Sequence, residues 1–179
     1  MTAQLAVLAL LGAFNSGRVR TAAPADATDR RAALAVCLSG LLAMVAIFAW
    51  LSDPVLETLK VSEPNARIAA GIGLLVVAIH DMFASAPAPE PGFSGLWGGL
   101  VPMAIPVAFT PGAAGLAIAV GADLGVAAAV GSTIPALAVV GVVTLTPIPL
   151  SWTSWVTRST AMFGAVVGVL VTLDGVRSI

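Results

Sequence analysis

Apolar residues in this chain are grouped in blocks long enough to cross a lipid bilayer, and this feature limits the fold more than any other. A membrane-spanning helix needs roughly 20 apolar residues, and about six such blocks follow one another between short polar or proline-rich joints. Hydrophobic residues make up 59% of the 179 residues, charged residues make up 9%, and the mean hydropathy is +1.03. We therefore predict an all-α, polytopic membrane protein with six transmembrane helices.

The joints between the blocks indicate where each of the six predicted helices begins and ends. They cover about residues 3–17, 32–51, 65–83, 95–120, 124–145 and 156–176. The first helix either ends at Gly17 or continues to about Ala23, if Asn15-Ser16-Gly17 is an internal break. A proline-rich linker at 85–94 separates a first part, 1–84, from a second part, 95–179, within one transmembrane domain.

Two short segments interrupt apolar blocks with residues that disfavour a continuous helix. They are Ala13-Phe14-Asn15-Ser16-Gly17 in the first block and Ala108-Phe109-Thr110-Pro111-Gly112 in the fourth. Proline removes a helical N–H donor and glycine relaxes the backbone. Non-helical backbone at membrane depth survives only where it is buried in protein or lines a cavity. Both segments are therefore predicted helix breaks and candidate parts of a binding site.

The two breaks also indicate an internal repeat. They share Ala, Phe and Gly at matching positions, and Arg67 and Arg158, near the starts of the third and sixth predicted helices, are each followed six residues later by a glycine. Because three helices per repeat is an odd number, the second repeat would enter the membrane from the opposite side. We predict two inverted three-helix repeats with helices one and four broken, a plan common among secondary transporters. The alternative is a coincidence, since glycine and proline are frequent in membrane helices.

Lys and Arg residues are unevenly distributed between the two sides of the predicted bundle. One side carries Arg18, Arg20, Arg30, Arg31 and Arg158, and the other carries Lys60, Arg67 and Arg177. Because short cytoplasmic loops are enriched in Lys and Arg, this difference predicts that both termini lie outside the cytoplasm.

Several segments resemble the MarC family of six-helix membrane proteins, and the resemblance covers nearly the whole chain. Phe14-Asn15-Ser16-Gly17 resembles the Asn-Pro-x-Gly region of that family's first helix, with Ser16 in place of the proline. Segments 64–72, 102–113 and 158–175 are similar to its third, fourth and sixth helices. The resemblance implies a protein of the prokaryotic cytoplasmic membrane that transports neutral amino acids. The wider LysE-type superfamily of exporters also carries a Thr-Pro-Gly element.

The residues of the two breaks form the predicted substrate-binding set. Broken helices present helix N-termini to an anionic group and free carbonyl groups to a cation. The set comprises Asn15, Ser16, Gly17, Arg18, Thr110, Pro111 and Gly112. The alternative is that both breaks are kinks that only allow close helix packing.

Four ionisable residues near the predicted breaks and helix ends are further candidates. Arg18 and Arg20 stand where the MarC family continues with apolar residues. If the first helix continues past Gly17, both lie at membrane depth and could pair with a substrate carboxylate. If it ends there, they are cytoplasmic anchors. His80 and Asp81 are a candidate proton relay, although their place near a helix end favours an interfacial location.

Composition and motifs exclude several functional classes. A net charge of −1 with eight basic residues provides no cationic face for nucleic acid. The single cysteine, Cys37, permits no internal disulfide. The chain has no metal-ligand spacing, nucleophile motif or ATP-binding element, so we expect no catalytic residues, no metal and no cofactor.

The sequence therefore predicts a secondary transporter of a small polar solute, an amino acid or related zwitterion, that works by alternating access between the repeats. Its expected partners are membrane lipid and the solute, with a homo-oligomer left open. The alternative is a non-transporting membrane subunit or scaffold that binds a partner through small-residue helix faces. Gly164-Ala165-Val166-Val167-Gly168 has such a spacing, suited to packing within the bundle or between protomers.

Overall fold

The structure, a computed structural model, describes residues 1–24, 26–83, 99–147 and 149–179. These residues form helical segments joined by short turns, and no strand occurs among them. The segments are α1 (Ala3–Ala13), α2 (Ser16–Ala22), α3 (Ala27–Trp50), α4 (Ser52–Leu59), α5 (Glu63–Phe83), α6 (Gly99–Ala108), α7 (Pro111–Leu124), α8 (Val126–Leu145) and α9 (Leu150–Arg177). The all-α prediction is confirmed for this part of the chain. The predicted linker at 85–94 lies outside the described residues.

Four helices in the described ranges are long and apolar enough to cross a membrane. They are α3, α5, α8 and the Trp152–Arg177 part of α9. These helices have the length and composition of transmembrane segments, in agreement with the predicted class of membrane protein. The first and fourth predicted spans are each divided into two shorter segments, α1 with α2 and α6 with α7.

Both interruptions lie inside the predicted five-residue segments, and each ends in a capped helix start. Asn15 has extended backbone angles, and its side-chain oxygen accepts a hydrogen bond from the Arg18 N–H at 3.3 Å. Thr110 is also extended, and its hydroxyl accepts from the Ala113 N–H at 3.2 Å. Pro111 follows as the first residue of α7, where a helix needs no N–H donor. The side chains thus satisfy backbone donors that each interruption exposes.

The segment α6, which precedes the predicted break in the fourth helix, is itself a wide, irregular helix. Val101 and Ile105 within it have extended backbone angles, with φ, ψ of −130°, 120° and −126°, 123°. Each of them precedes a proline, Pro102 or Pro106. The residue before a proline is sterically pushed out of the helical region, which accounts for both departures.

Several helix boundaries differ from the predicted ones because of local capping. The helix α3 begins at Ala27 because the Asp26 carboxylate accepts from the N–H groups of Thr28 at 2.8 Å and Asp29 at 3.1 Å. The same bonds, above all that from Asp29, hold the pKa of Asp26 below its usual value. The joint between the second and third predicted helices contains a further helix, α4, which is followed by Lys60 in the left-handed conformation with φ 54°.

Helices α5 and α9 form an antiparallel pair whose backbones approach closely. Gly71 of α5 lies against Gly168 and Thr172 of α9, and Gly175 of α9 lies against Pro64 and Ile68 of α5. Around this pair, α7 packs on α5, and α1 and α2 pack between α8 and α9. The helix α3 packs against α6, α7 and α8 on the other side of the bundle.

Replacing Gly71 by alanine should destabilise the bundle, because the added Cβ would meet the Gly168 carbonyl oxygen and the Thr172 nitrogen, each at 2.7 Å. Such overpacking costs about 1–3 kcal/mol and should lower the apparent melting temperature of the detergent-purified protein. Gly131→Ala is the matched control, since nothing lies within 4 Å of a Cβ added there. An equal loss in both variants would contradict the close approach of α5 and α9.

Candidate functional site

Polar side chains meet at the first interruption in what we call the Asp81 cluster, made of Asn15, Arg18, Asp81 and the backbone carbonyl of Thr157. The Asp81 carboxylate accepts from Asn15 Nδ2 at 3.0 Å through Oδ2 and from Arg18 Nη1 at 2.8 Å through Oδ1. Asn15 Nδ2 also donates to the Thr157 carbonyl oxygen at 3.3 Å. The cluster therefore joins α2, α5 and α9.

The break itself positions these groups. Because Asn15 caps α2, its Oδ1 is occupied by the Arg18 N–H and its Nδ2 is directed toward Asp81. Arg18 lies one helical turn further on and reaches the same carboxylate. In an unbroken helix the Arg18 N–H would bond to a backbone carbonyl group, and the Asn15 side chain would not be required as a cap. The interruption thus directs the amide and the guanidinium of α2 onto one acidic residue of α5.

The cluster contains a buried negative charge with a partly exposed positive partner. The Asp81 side chain is 3% exposed and that of Arg18 is 23% exposed. A guanidinium group carries five N–H donors, and within the described ranges Nη1 is the one nitrogen of the Arg18 guanidinium with an acceptor. The remaining donors of Arg18 are thus free for a second acceptor that reaches the exposed part of the side chain.

A cleft of about 260 Å³ opens beside the first interruption. It lies between α1, α2, α8 and α9 and combines apolar walls with hydroxyl groups. Its lining residues are Leu11, Phe14, Ser16, Val139, Ser159, Thr160 and Phe163. Ser16 adjoins Asn15 in the chain, and Thr160 lies one turn from Thr157, but the four residues of the Asp81 cluster do not themselves line the cleft.

The structure places the chain after Gly17 in helix α2, as in the predicted alternative with an internal break. The two arginines of α2 differ in their surroundings. Arg18 binds the buried carboxylate of Asp81, whereas Arg20 Nη1 donates to the carbonyl oxygens of Val143 at 3.3 Å and Thr144 at 2.7 Å. Those carbonyls belong to the last turn of α8, where a cation is favourable. Arg20 therefore stabilises a helix end, and Arg18 belongs to the cluster.

The second interruption lies apart from the Asp81 cluster. Gly112 packs on α5, where a Cβ would come within 3.1 Å of the Gly73 backbone, and Pro111 is exposed. The Thr110 hydroxyl accepts in the cap of α7. Gly73 precedes Asp81 by eight residues, which is about 12 Å along a helix. Among the described residues, no hydrogen bond or ion pair joins Thr110, Pro111 or Gly112 to the cluster.

His80 and Asp81, the predicted relay pair, face different surroundings. Asp81 is buried in the cluster, whereas His80 is exposed on α5. Consecutive residues on a helix point about 100° apart, so the two side chains cannot share one face. The structure thus brings Asp81 together with Asn15 and Arg18 and leaves His80 outside.

A second charged group, which the sequence analysis did not identify as a site, lies near the other end of α5. In this Arg67 cluster, Nη2 of Arg67 bonds Asp123 Oδ1 at 2.8 Å, and Nη1 bonds Asp174 Oδ2 at 3.0 Å and Ser178 Oγ at 3.2 Å. The Met1 nitrogen also contacts Asp123. The cluster joins α5, α7 and α9. An arginine inside an apolar helix was the signal for it, because intramembrane charges are costly and require partners.

The small-residue face of α9 is used inside the bundle. Gly164 lies against Gly12 of α1, and Gly168 lies against Gly71 and Leu75 of α5. This agrees with the predicted option of packing within the bundle. A partner protein would have to bind another surface.

Two further sources of information about function are possible metal sites and similarity to known proteins. Within the described ranges, no group of three or more His, Cys, Asp or Glu side chains is placed to hold a metal ion. Comparisons of the chain with protein-family models, with curated proteins and with solved structures find no match. Inferences about function therefore depend on the residues and their geometry.

Arg67→Met should destabilise the protein strongly, because it leaves the carboxylates of Asp123 and Asp174 without their shared guanidinium. The Arg67 side chain is 8% exposed, and removing one partner of a buried ion pair costs about 3–5 kcal/mol. The matched control is Arg158→Met, at the exposed arginine that the predicted repeat aligns with Arg67. It should change stability by less than about 0.5 kcal/mol. Thermal unfolding in detergent measures both, and similar melting temperatures would contradict the structural role of Arg67.

Proposed function

We propose that this protein is a secondary transporter of a small polar solute, an amino acid or related zwitterion, that works by alternating access between two inverted repeats. The observation that carries the proposal is the Asp81 cluster at the broken first helix. A buried carboxylate, a carboxamide and a partly exposed guanidinium meet there beside a cleft, among helices of membrane length. Buried ionisable groups in such helices usually mark a solute or ion pathway.

The packing of the bundle supports the two-repeat arrangement. When α1, α2, α3 and α5 are matched with α6, α7, α8 and α9, several helix contacts have a counterpart. The contacts of α1 with α9 and of α7 with α8 have no comparable counterpart among the described residues. The contact of α5 with α7 corresponds to that of α9 with α2, α3 with α6 to α8 with α1, and α3 with α7 to α8 with α2. The α5–α9 and α3–α8 contacts map onto themselves. Inverted repeats, as in many secondary transporters, produce such a correspondence.

The two capped interruptions also correspond to each other. In each repeat the capping residue accepts from the N–H three residues later, Arg18 for Asn15 and Ala113 for Thr110. Counting α1 with α2 and α6 with α7 as one broken crossing each, the four long helices and these two give six spans. The predicted position of both termini outside the cytoplasm is part of this proposal, as is a prokaryotic cytoplasmic membrane.

The resemblance to the MarC family favours a neutral amino acid as the solute. The Asp81 cluster is compatible with the carboxylate of a zwitterion, because Arg18 offers donors to such a group. The hydroxyl groups of Ser16 and Thr160 in the cleft would bind further polar atoms.

Purified protein in liposomes should take up at least one of labelled L-alanine, L-serine and L-leucine, and Arg18→Gln should reduce the uptake at low solute concentration. A hydrogen bond to a charged group contributes about 1.5–3 kcal/mol, so we expect a decrease of roughly tenfold or more. Arg31→Gln, at an exposed arginine near the start of α3, is the matched control and should retain the wild-type rate. Uptake that is equally fast in Arg18→Gln and wild type would exclude Arg18 from the site.

A further inference from the structure

We propose that Asp81 takes up a proton when a carboxylate-bearing solute binds Arg18, so that one proton and one solute molecule bind and move together. The inference rests on the proposed transport function and deepens it. It names the feature that the solute must carry, a carboxylate, and the coupling ion, H⁺. In the solute-free protein, the Arg18 guanidinium binds Asp81. When the solute is bound, the same guanidinium binds the carboxylate of the solute instead.

The geometry of the ion pair leaves room for this exchange. Asp81 binds Arg18 through one oxygen and one nitrogen, at 2.8 Å. Carboxylates bind guanidinium groups most favourably through two parallel hydrogen bonds. The Arg18 side chain is 23% exposed while that of Asp81 is 3% exposed. A solute carboxylate can therefore approach Arg18 from its accessible side and form the two-bond contact that Asp81 does not make.

Binding of the solute would place two carboxylates against one guanidinium. A second negative charge nearby favours the neutral form of one of them. We infer that Asp81 accepts the proton, because its side chain is 3% exposed, whereas the solute carboxylate arrives at the partly exposed side of Arg18. In the step, Asp81 Oδ1 gains a proton from solvent and releases Arg18 Nη1, which binds the solute. No other bond changes, and the carboxylate charge facing Arg18 is the same before and after.

Asn15 keeps Asp81 in place through both states. Its Nδ2 donates to Asp81 Oδ2, the oxygen that does not bind Arg18, at 3.0 Å. That oxygen still accepts a hydrogen bond when Oδ1 carries the proton. Asn15 is itself held by its cap bond from the Arg18 N–H and by its bond to the Thr157 carbonyl. Protonation therefore changes the partner of Arg18 without freeing the Asp81 side chain.

Few charged groups lie on the helices around Asp81. On its own helix, His80 is exposed, and on α9 the nearest ionisable residue in sequence to Thr157 is Arg158, also exposed. On α2, Arg20 is directed to the α8 carbonyls. The helix α7, which packs on α5, has one ionisable residue, Asp123, and this binds Arg67 near the other end of α5. The segments α1 and α8 contain no Asp, Glu, His, Lys or Arg. Among the described residues, Asp81 is thus the carboxylate paired with Arg18, and its protonation is the one that frees that arginine.

The test uses Asp81→Asn, which has nearly the shape of a protonated aspartate but cannot exchange a proton. Liposomes with an acidic exterior, a pH gradient of about one unit and the membrane potential clamped at zero receive the labelled amino acid that wild type moves. One proton per solute could drive accumulation up to about tenfold in wild type. Asp81→Asn should exchange labelled for unlabelled amino acid across the membrane but should not accumulate it. Asp29→Asn, at an exposed aspartate of α3, is the control and should accumulate it like wild type.

Accumulation by Asp81→Asn to the wild-type level would overturn the inference, and so would wild-type accumulation that does not respond to the pH gradient. Neither result would affect the proposed transport function, which fails only if wild type moves none of the three amino acids. If Asp81→Asn does not fold, proton uptake by detergent-purified wild type decides the question. A pH indicator in weakly buffered solution should record proton uptake when the transported amino acid is added, and no uptake would overturn the inference.

Discussion

The close antiparallel contact of α5 and α9 is the interaction on which the other features depend. Gly71, Gly168 and Gly175 allow the two backbones to approach, and nearly any side chain at these places would collide with backbone atoms. Helices in lipid associate through such packing and through polar contacts, because apolar residues gain little from leaving an apolar solvent. The Arg67 cluster lies near one end of this pair and the Asp81 cluster at the other, and both include groups from the two helices.

Both interruptions leave backbone N–H groups without helical partners, but the capping side chains at the two interruptions have different further partners. Each exposes N–H groups that lipid cannot satisfy, and in each a polar side chain accepts from one of them. At the second interruption Thr110 and Pro111 start α7, and Gly112 packs tightly on α5. At the first, Asn15 both caps its helix and binds a buried carboxylate. A site built on the first interruption therefore has no counterpart in the hydrogen bonds described at the second.

The Arg67 and Asp81 clusters differ in how firmly they hold helices together. The Arg67 guanidinium bonds two carboxylates on two different helices and is almost buried, so α5, α7 and α9 are tied together at that end. The Asp81 pair consists of one bond to a partly exposed arginine on a seven-residue helix. The second arrangement involves fewer bonds, and one of its partners is partly exposed.

Much of the secondary structure follows directly from local sequence. Apolar blocks specify long helices, Asn15 and Thr110 mark helix starts, and each proline that follows Val101 or Ile105 pushes that residue out of the helix. Local rules also account for the start of α3 at its aspartate cap, although hydropathy alone placed that start five residues too late. Such effects act within a few residues of the chain, and for this reason the break positions could be predicted.

The partners of the ionisable residues could not be predicted from local sequence. Arg18 and Asp81 are 63 residues apart in the chain, and Arg67 and Asp174 are 107 apart. Their pairing depends on how α2, α5 and α9 cross, and those crossings depend on glycines whose neighbours belong to other helices. The chain alone determines where helices begin, break and end, and which charges must find partners in lipid. Only the packed bundle decides which partner each charge meets, because burial and distance are properties of the helices together.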